Sequence, residues 1–163
     1  MSANRARLVR TSRAQSEVHI PATAAQLERC YHHDVALRFF PGPGMILMCD
    51  FSGYVLPEIV KTRRVVVVSP KRLFQSLWDV TLVVVPLSEI EPRPLGPWHH
   101  CIPSGRYRGV ATCWAKADLL AHVSLARLNR IYYERDRIVP VVYDGDLQAI
   151  RAAAAAAIGI GLT

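Results

Sequence analysis

Two groups of basic residues are candidates for binding phosphate. The first surrounds a single acid, Glu58, and the second lies in a stretch without any acid between residues 99 and 116. Arginine binds phosphate oxygens through two parallel hydrogen bonds, and aromatic rings beside such cations can stack on the bases of a single strand. The sequence therefore predicts a nucleic-acid contact surface made of Lys61, Arg63, Arg64, Lys71, Arg72, Arg106, Tyr107, Arg108 and Lys116. Of the nearby aromatic residues, we expect Trp98 and Trp114 in the core and Tyr107 at the surface.

Histidine and cysteine occur together twice, at residues 30–33 and at residues 99–101, and both groups could suggest zinc. Neither group has the spacing of a zinc finger, and two adjacent histidines in a strand point to opposite faces. The chain also lacks a P-loop, a Rossmann glycine pattern and a G-x-S-x-G motif. We therefore expect no metal and no cofactor, and free, mostly buried cysteines in a reducing cytoplasm.

The composition indicates a globular protein of one ordinary domain. The 163 residues are 51% hydrophobic and 20% charged, with a formal net charge of +7. These values exclude a disordered tail protein, and the apolar runs are too short to span a membrane. The positive charge favours a polyanionic partner.

The first 40 residues differ from the rest. Four arginines in a polar context predict a basic arm over residues 1–20, and Pro21 opens a predicted amphipathic helix that ends near Phe40. The sequence Pro41-Gly42-Pro43-Gly44 then stops any regular element. We interpret residues 1–40 as an extension of a domain that covers residues 44–158.

The remainder has a β character until a final helix. We predict strands over residues 45–51, 63–69, 80–87, 98–102, 109–114 and 123–128, a short helix or turn over 116–120, and a proline-rich loop over 91–97. An alanine-rich helix begins at Asp144-Gly145-Asp146 and closes at Gly159. The fold class is mainly β with α (α+β), as a small barrel or sandwich covered on one side by the helix.

Three ordered stretches carry a resemblance to a known family. They are Met45–Phe51, ending in Asp-Phe; Lys61–Pro70, a basic turn that enters a strand ending in Ser-Pro; and Val83–Ser88, ending in Val-Pro-x-Ser. They resemble the PemK/MazF family, the toxins of bacterial toxin–antitoxin pairs. The resemblance implies an SH3-like barrel with a C-terminal helix, a homodimer, a cognate antitoxin, and cleavage of single-stranded RNA without a metal.

The resemblance also implies site residues. Asp50 matches the acidic end of the first strand, Glu58 the acid of the following loop, Arg63 the catalytic arginine, and Ser88 a Thr or Ser of the active site. The chain departs from the pattern twice. Arg64 stands where the family usually has proline, and Trp114 stands where many members place an aspartate.

These residue types suit cleavage by the neighbouring 2′-hydroxyl, which leaves a 2′,3′-cyclic phosphate. The reaction needs a base, a cation beside the phosphorane and an acid for the leaving oxygen. Arg63 is always charged and fits the cation, Ser88 can donate to a phosphate oxygen, and Glu58 is a candidate base. His99 and His100 are the other residues whose ordinary pKa suits proton transfer near neutral pH. For Asp50 we favour the capping of a turn.

Two alternatives stay open. The same fold could bind RNA without cutting it, or inhibit a protein such as a topoisomerase, because a fold alone does not fix a function. Residues 1–40 could block the groove, extend the dimer interface or bind nucleic acid.

Overall fold

The computed structural model describes residues 37–71 and 80–161. Within these residues the elements are nine β-strands and one α-helix: β1 (Ile46–Cys49), β2 (Arg63–Val67), β3 (Thr81–Ser88), β4 (His99–Ile102), β5 (Cys113–Lys116), β6 (Ala121–Ser124), β7 (Leu128–Asn129), β8 (Ile131–Tyr133), β9 (Asp136–Ile138) and α1 (Asp144–Ala157). Short 3₁₀ turns lie at Ala117–Leu119 and Leu125–Arg127. The mainly β class and the C-terminal helix are confirmed.

One antiparallel sheet contains β1–β7, in the order β4-β5-β3-β2-β1-β7, with β6 paired to β3. The long strand β3 holds the sheet together, because it pairs with β2 along one edge and with β6 and then β5 along the other. The strands β8 and β9 form a separate hairpin.

The valine run of β2 is buried on both faces of the sheet. Val66 and Val68 belong to a cluster that also contains Leu147 and Ile150 of α1, and we call it cluster 1. Val65 and Val67 belong to the cluster on the opposite face, cluster 2. Burial on both faces explains why this strand has a continuous apolar sequence in place of an alternating one.

The helix α1 lies against cluster 1. Its buried residues Leu147, Ile150 and Ala153 are spaced at intervals of three and so share one face. Arg151 fixes the helix to the sheet, since its Nε donates to the carbonyl of Val68 at 3.0 Å. Gly159 follows the helix with a φ of +81°, and this is the predicted glycine stop.

Several predicted boundaries were wrong. The predicted N-terminal helix lies outside the described residues up to residue 36, and residues 37–40 are irregular, with Leu37 buried in cluster 2. Of the strand predicted over 109–114, only the end from Cys113 is extended. The strand predicted over 123–128 begins earlier, at Ala121, and gives way to a 3₁₀ turn at Leu125.

The hairpin of β8 and β9 packs on a glycine that has no room for a side chain. A Cβ at Gly109, where φ is +70°, would lie 2.9 Å from Cγ of Tyr133 and 3.0 Å from Cδ1 of Ile138. We expect Gly109→Ala to lower the free energy of unfolding by about 1–3 kcal/mol, because the hairpin must shift. Urea denaturation measures this. The control Gly145→Ala meets no atom within 4 Å, and an undiminished stability of Gly109→Ala would contradict the packing.

Candidate functional site

The structure brings Arg63 and Ser88 together on adjacent strands. Val65 of β2 lies opposite Pro86 of β3, so the same antiparallel register places Arg63 opposite Ser88 two residues further along. Both residues line one cavity of about 350 Å³ at the ends of these strands. Two residues that lie 25 positions apart in sequence therefore become cross-strand neighbours.

The cross-strand row of residues that begins with Arg63 and Ser88 continues onto β5. Ser88 lies opposite Trp114, and Lys116 follows two residues later on the same face of the strand. Arg63 is exposed, and it makes no hydrogen bond or ion pair with any residue that the structure describes. This face of the sheet therefore presents a free guanidinium, a hydroxyl and an ammonium group in one row.

The hydroxyl of Ser88 is engaged in a local turn. It donates to the carbonyl of Ile90 and accepts from the backbone N–H of the same residue, each at 3.2 Å. Because a serine hydroxyl carries one proton, it must rotate away from Ile90 before it can donate to a phosphate.

Glu58 lies in a different depression. It lines a pocket of about 190 Å³ together with Phe51, Tyr54 and Asp118, among others, and its Oε2 accepts from the backbone N–H of Val55 at 2.8 Å. Phe51 belongs to cluster 2, which is the side on which alternation also places Arg63 and Ser88. The pocket and the row thus share a side of the sheet, but Glu58 does not line the cavity of Arg63 and Ser88.

Asp118 is a carboxylate that the sequence reasoning did not select. Behind it lies His99, whose side chain is only 4% exposed and whose Nε2 is 3.4 Å from Oδ1 of Asp118. The Nδ1 of His99 accepts from the N–H of Gly96 at 3.0 Å, and its buried Nε2 makes no hydrogen bond with any described residue. The pocket therefore contains two carboxylates, Glu58 and Asp118.

Part of the second basic group, the stretch between residues 99 and 116, has a structural role. Tyr107 is 7% exposed, which corrects the expectation of a surface contact. Its hydroxyl donates to Oδ2 of Asp146 and accepts from the N–H of Tyr143 at 2.9 Å. Arg106 donates to the same Oδ2 at 2.6 Å, and its charge is therefore compensated at the start of α1.

Asp146 is the centre of this network. Its buried carboxylate accepts from Tyr107, Arg106 and His100, whose Nε2 is 3.1 Å from Oδ1. Burial alone would raise the pKa of Asp146, but the hydrogen bonds from Tyr107, Arg106 and His100 outweigh it and hold the pKa below its usual value. Burial, followed by the hydrogen bond to Asp146, raises the pKa of Tyr107. The network joins β4, the loop after it and α1.

The remaining residues that the sequence analysis considered for the site lie in different parts of the chain. Arg108 is 60% exposed and lies 3.9 Å from Glu134 and 3.8 Å from Asp136, while Lys61 is exposed. Arg72 lies outside the described residues. Asp50 caps a turn, since its carboxylate accepts from the N–H and hydroxyl of Ser52 and these bonds lower its pKa.

The tryptophans and the cysteines also differ from one another. Trp98 packs against cluster 1. Trp114 is half-buried, lies beside Ser88 and belongs to neither cluster, which corrects the expectation that it lies in the core. Burial raises the pKa of the Cys49 thiol to about 12 and that of Cys113 to about 11, and Cys101 is exposed.

No three His, Cys, Asp or Glu side chains form a metal-binding group within residues 37–71 and 80–161. None of the helices described there is long and apolar enough to cross a membrane.

The fold and this surface define a mainly β protein with an arginine-rich face. Residues 43–155 match the family described as PemK-like, MazF-like toxins of type II toxin–antitoxin systems. The chain belongs to this family. No curated protein sequence matches it.

Solved structures have the same fold at low sequence identity. An endoribonuclease from a mycobacterial species is 18% identical with a TM-score of 0.53, over 76% of this chain and 95% of that chain. A mycobacterial endoribonuclease in complex with its cognate antitoxin is 18% identical with a TM-score of 0.54, over 76% and 100%. MazF from Deinococcus radiodurans is 16% identical with a TM-score of 0.56, over 75% and 99%.

Proposed function

We propose that this toxin is a metal-independent endoribonuclease that cleaves single-stranded RNA through the neighbouring 2′-hydroxyl. The proposal is supported by its family and by one observation above all, the uncompensated Arg63 guanidinium across from Ser88 in adjacent strands. A fixed positive charge beside the reacting phosphate can supply the stabilisation of the phosphorane that some nucleases obtain from a metal ion. The 2′-oxygen forms a bond to phosphorus while the bond from phosphorus to the 5′-oxygen breaks, and the leaving 5′-oxygen takes a proton from water. The products are a 2′,3′-cyclic phosphate and a free 5′-hydroxyl.

Each residue then has a distinct part. Arg63 stabilises the negative charge of the phosphorane, and Ser88 donates to a non-bridging oxygen after it releases the carbonyl of Ile90. Glu58 or Asp118 is the proposed base for the 2′-hydroxyl. Both carboxylates line the pocket on the same side of the sheet and neither lines the cavity of Arg63 and Ser88, so the bound strand has to span the two depressions. Lys61, Arg72, Arg108 and Lys116 hold phosphates along the strand.

The architecture proposed with this function is that of the family. Residues 44–158 form an SH3-like barrel that dimerises, and residues 1–40 are an extension. An acidic, initially disordered segment of a cognate antitoxin would neutralise the basic face, as suits a toxin that acts on cytoplasmic RNA. One structural neighbour is described as an endoribonuclease in complex with its cognate antitoxin.

The direct test is a time course on long single-stranded RNA in EDTA, with the ends of the fragments mapped. We expect discrete fragments with 2′,3′-cyclic phosphate ends, because the mechanism uses the substrate's own hydroxyl. Intact RNA after incubation of two unrelated transcripts with well-folded protein would contradict the proposal.

A second candidate function is RNA binding without cleavage, on the same surface. It is favoured by the hydroxyl of Ser88, which is already bonded to Ile90, and by Trp114 at the position of a family aspartate. A gel shift of RNA that stays intact in the time course would select this function.

A further inference from the structure

Arg64 has no role in the proposed cleavage, and the family usually has proline at its position. Alternation along β2 places it on the face of cluster 1, opposite to Arg63. Besides the cavity of Arg63 and Ser88, it lines two neighbouring depressions of about 540 and 440 Å³. We call these two depressions the Arg64 groove.

The walls of the groove carry an excess of positive charge. Four arginines line it, Arg64, Arg108, Arg127 and Arg130, against one acid among the described residues, Asp50. Arg127 donates to the backbone carbonyls of Asp50 and Ser52 and also interacts electrostatically with the Asp50 carboxylate, whereas Arg130 has no ion pair within the described residues and lies 5.6 Å from the ring of Phe39. The groove is therefore suited to a polyanion.

The guanidinium of Arg64 is held in place but retains unused donors. Its Nη1 donates to Oε1 of Glu89 at 2.9 Å, and its side chain is 30% exposed. Its Nε is buried and has no hydrogen-bond partner within the described parts of the chain. The exposed part of the guanidinium is therefore the part that can donate to a ligand, such as a phosphate oxygen.

Aromatic rings border the groove on the hairpin. Tyr132 is 70% exposed and lines one depression, while Tyr133 lines another and lies 6.0 Å beneath the guanidinium of Arg108. Surfaces that bind single strands combine cations for the backbone with rings for the bases. An acidic protein segment would use the cations but has no planar bases for these rings.

We propose that the Arg64 groove is a second binding subsite for single-stranded RNA, with Arg64 bound to a backbone phosphate and Tyr132 stacked on a base. The proposal rests on the proposed function, since it extends the path of the same substrate away from Arg63 and Ser88. Glu89 competes with the phosphate for Arg64, so it moderates the affinity of the subsite.

The test measures binding separately from cleavage. Fluorescence anisotropy with a labelled 2′-O-methyl oligoribonucleotide reports affinity, because the blocked 2′-oxygen prevents transesterification. We expect Arg64→Ala to weaken binding about tenfold and to reduce the slope of affinity against salt by about 0.7. Tyr132→Ala, at an exposed position that cannot disturb the core, should weaken binding several-fold, and Glu89→Gln should strengthen it.

The matched control is Arg93→Ala, which removes an arginine whose side chain is 88% exposed and which does not line the groove. Wild-type affinity in both Arg64→Ala and Tyr132→Ala would overturn the proposal. So would an Arg64→Ala variant that loses binding to polyglutamate but not to RNA, which would assign the groove to an acidic protein segment. Cleavage by wild type is scored in a separate assay, so failure of the subsite is distinguishable from failure of the proposed function.

Discussion

Replacing Arg63 with alanine is expected to reduce the rate of RNA cleavage by about 10²–10³-fold. The reason is that the guanidinium is the group proposed to offset the charge of the phosphorane, and within the described chain no other residue compensates it. Its exposed position at the start of β2 lets the fold tolerate the change. Initial rates on one long RNA, with far-UV circular dichroism of both proteins, measure the effect and the integrity of the fold.

The comparison with Arg63→Lys and Arg93→Ala isolates the cause. Lysine keeps the charge but loses the bidentate geometry, so an intermediate rate is expected. Arg93→Ala removes the same charge from an exposed loop and should cleave like wild type. If Arg63→Ala also cleaved at the wild-type rate, Arg63 would be a solvated charge at a strand end and the proposed site would be wrong.

Replacing Asp146 with alanine is expected to lower the free energy of unfolding by about 1–3 kcal/mol. The carboxylate is 10% exposed and accepts hydrogen bonds from Arg106, His100 and Tyr107. Its removal leaves the donors of these three side chains without their acceptor, next to the first turn of α1. Urea denaturation followed by circular dichroism measures the loss.

The neighbouring Asp144 provides a matched control. It also lies in the first turn of α1, but it is exposed, so Asp144→Ala removes the same favourable interaction with the helix dipole and no buried contact. We expect this change to cost less than about 1 kcal/mol. Equal losses in the two variants would mean that the network around Asp146 contributes little.

The same network predicts a dependence of stability on pH. The folded pKa of Asp146 lies below its unfolded value, so the carboxylate stabilises the fold above an unfolded value of about 3.9. This stabilisation is lost as the pH falls through the folded pKa. Asp146→Asn should therefore lose stability less steeply than wild type below about pH 4, as measured by urea denaturation between pH 7 and pH 2.5. Parallel curves would contradict it.

The roles of the extension over residues 1–40 and of Arg72 stay predictions, because residues 1–36 and Arg72 lie outside the described residues. The described part of the extension, residues 37–40, contains Leu37, which is buried in cluster 2. The amphipathic pattern predicted a helix to Phe40, but contact with the sheet outweighs helical preference at its end.

Local sequence was sufficient for the elements with strong intrinsic signals. The valine runs of β2 and β3, the prolines after Glu91 and the alanine-rich segment before Gly159 each specify their conformation through side-chain branching, a missing donor or helix propensity. The hairpin of β8 and β9 was missed because its charged residues Glu134, Arg135 and Asp136 give no alternating pattern, and its turn takes positive φ at Glu134 and Arg135 without a glycine.

The sequence by itself determined the family, the main strands and the C-terminal helix, and the residue types available for phosphate chemistry. Only the tertiary structure decided which of them meet. Register between β2 and β3 places Arg63 across from Ser88, and alternation turns Arg64 to the opposite face. Burial of Asp146 draws Tyr107 and Arg106 inward, because an ionised carboxylate beneath a helix needs donors. Such pairings join residues 25 to 40 positions apart, and no local pattern encodes them.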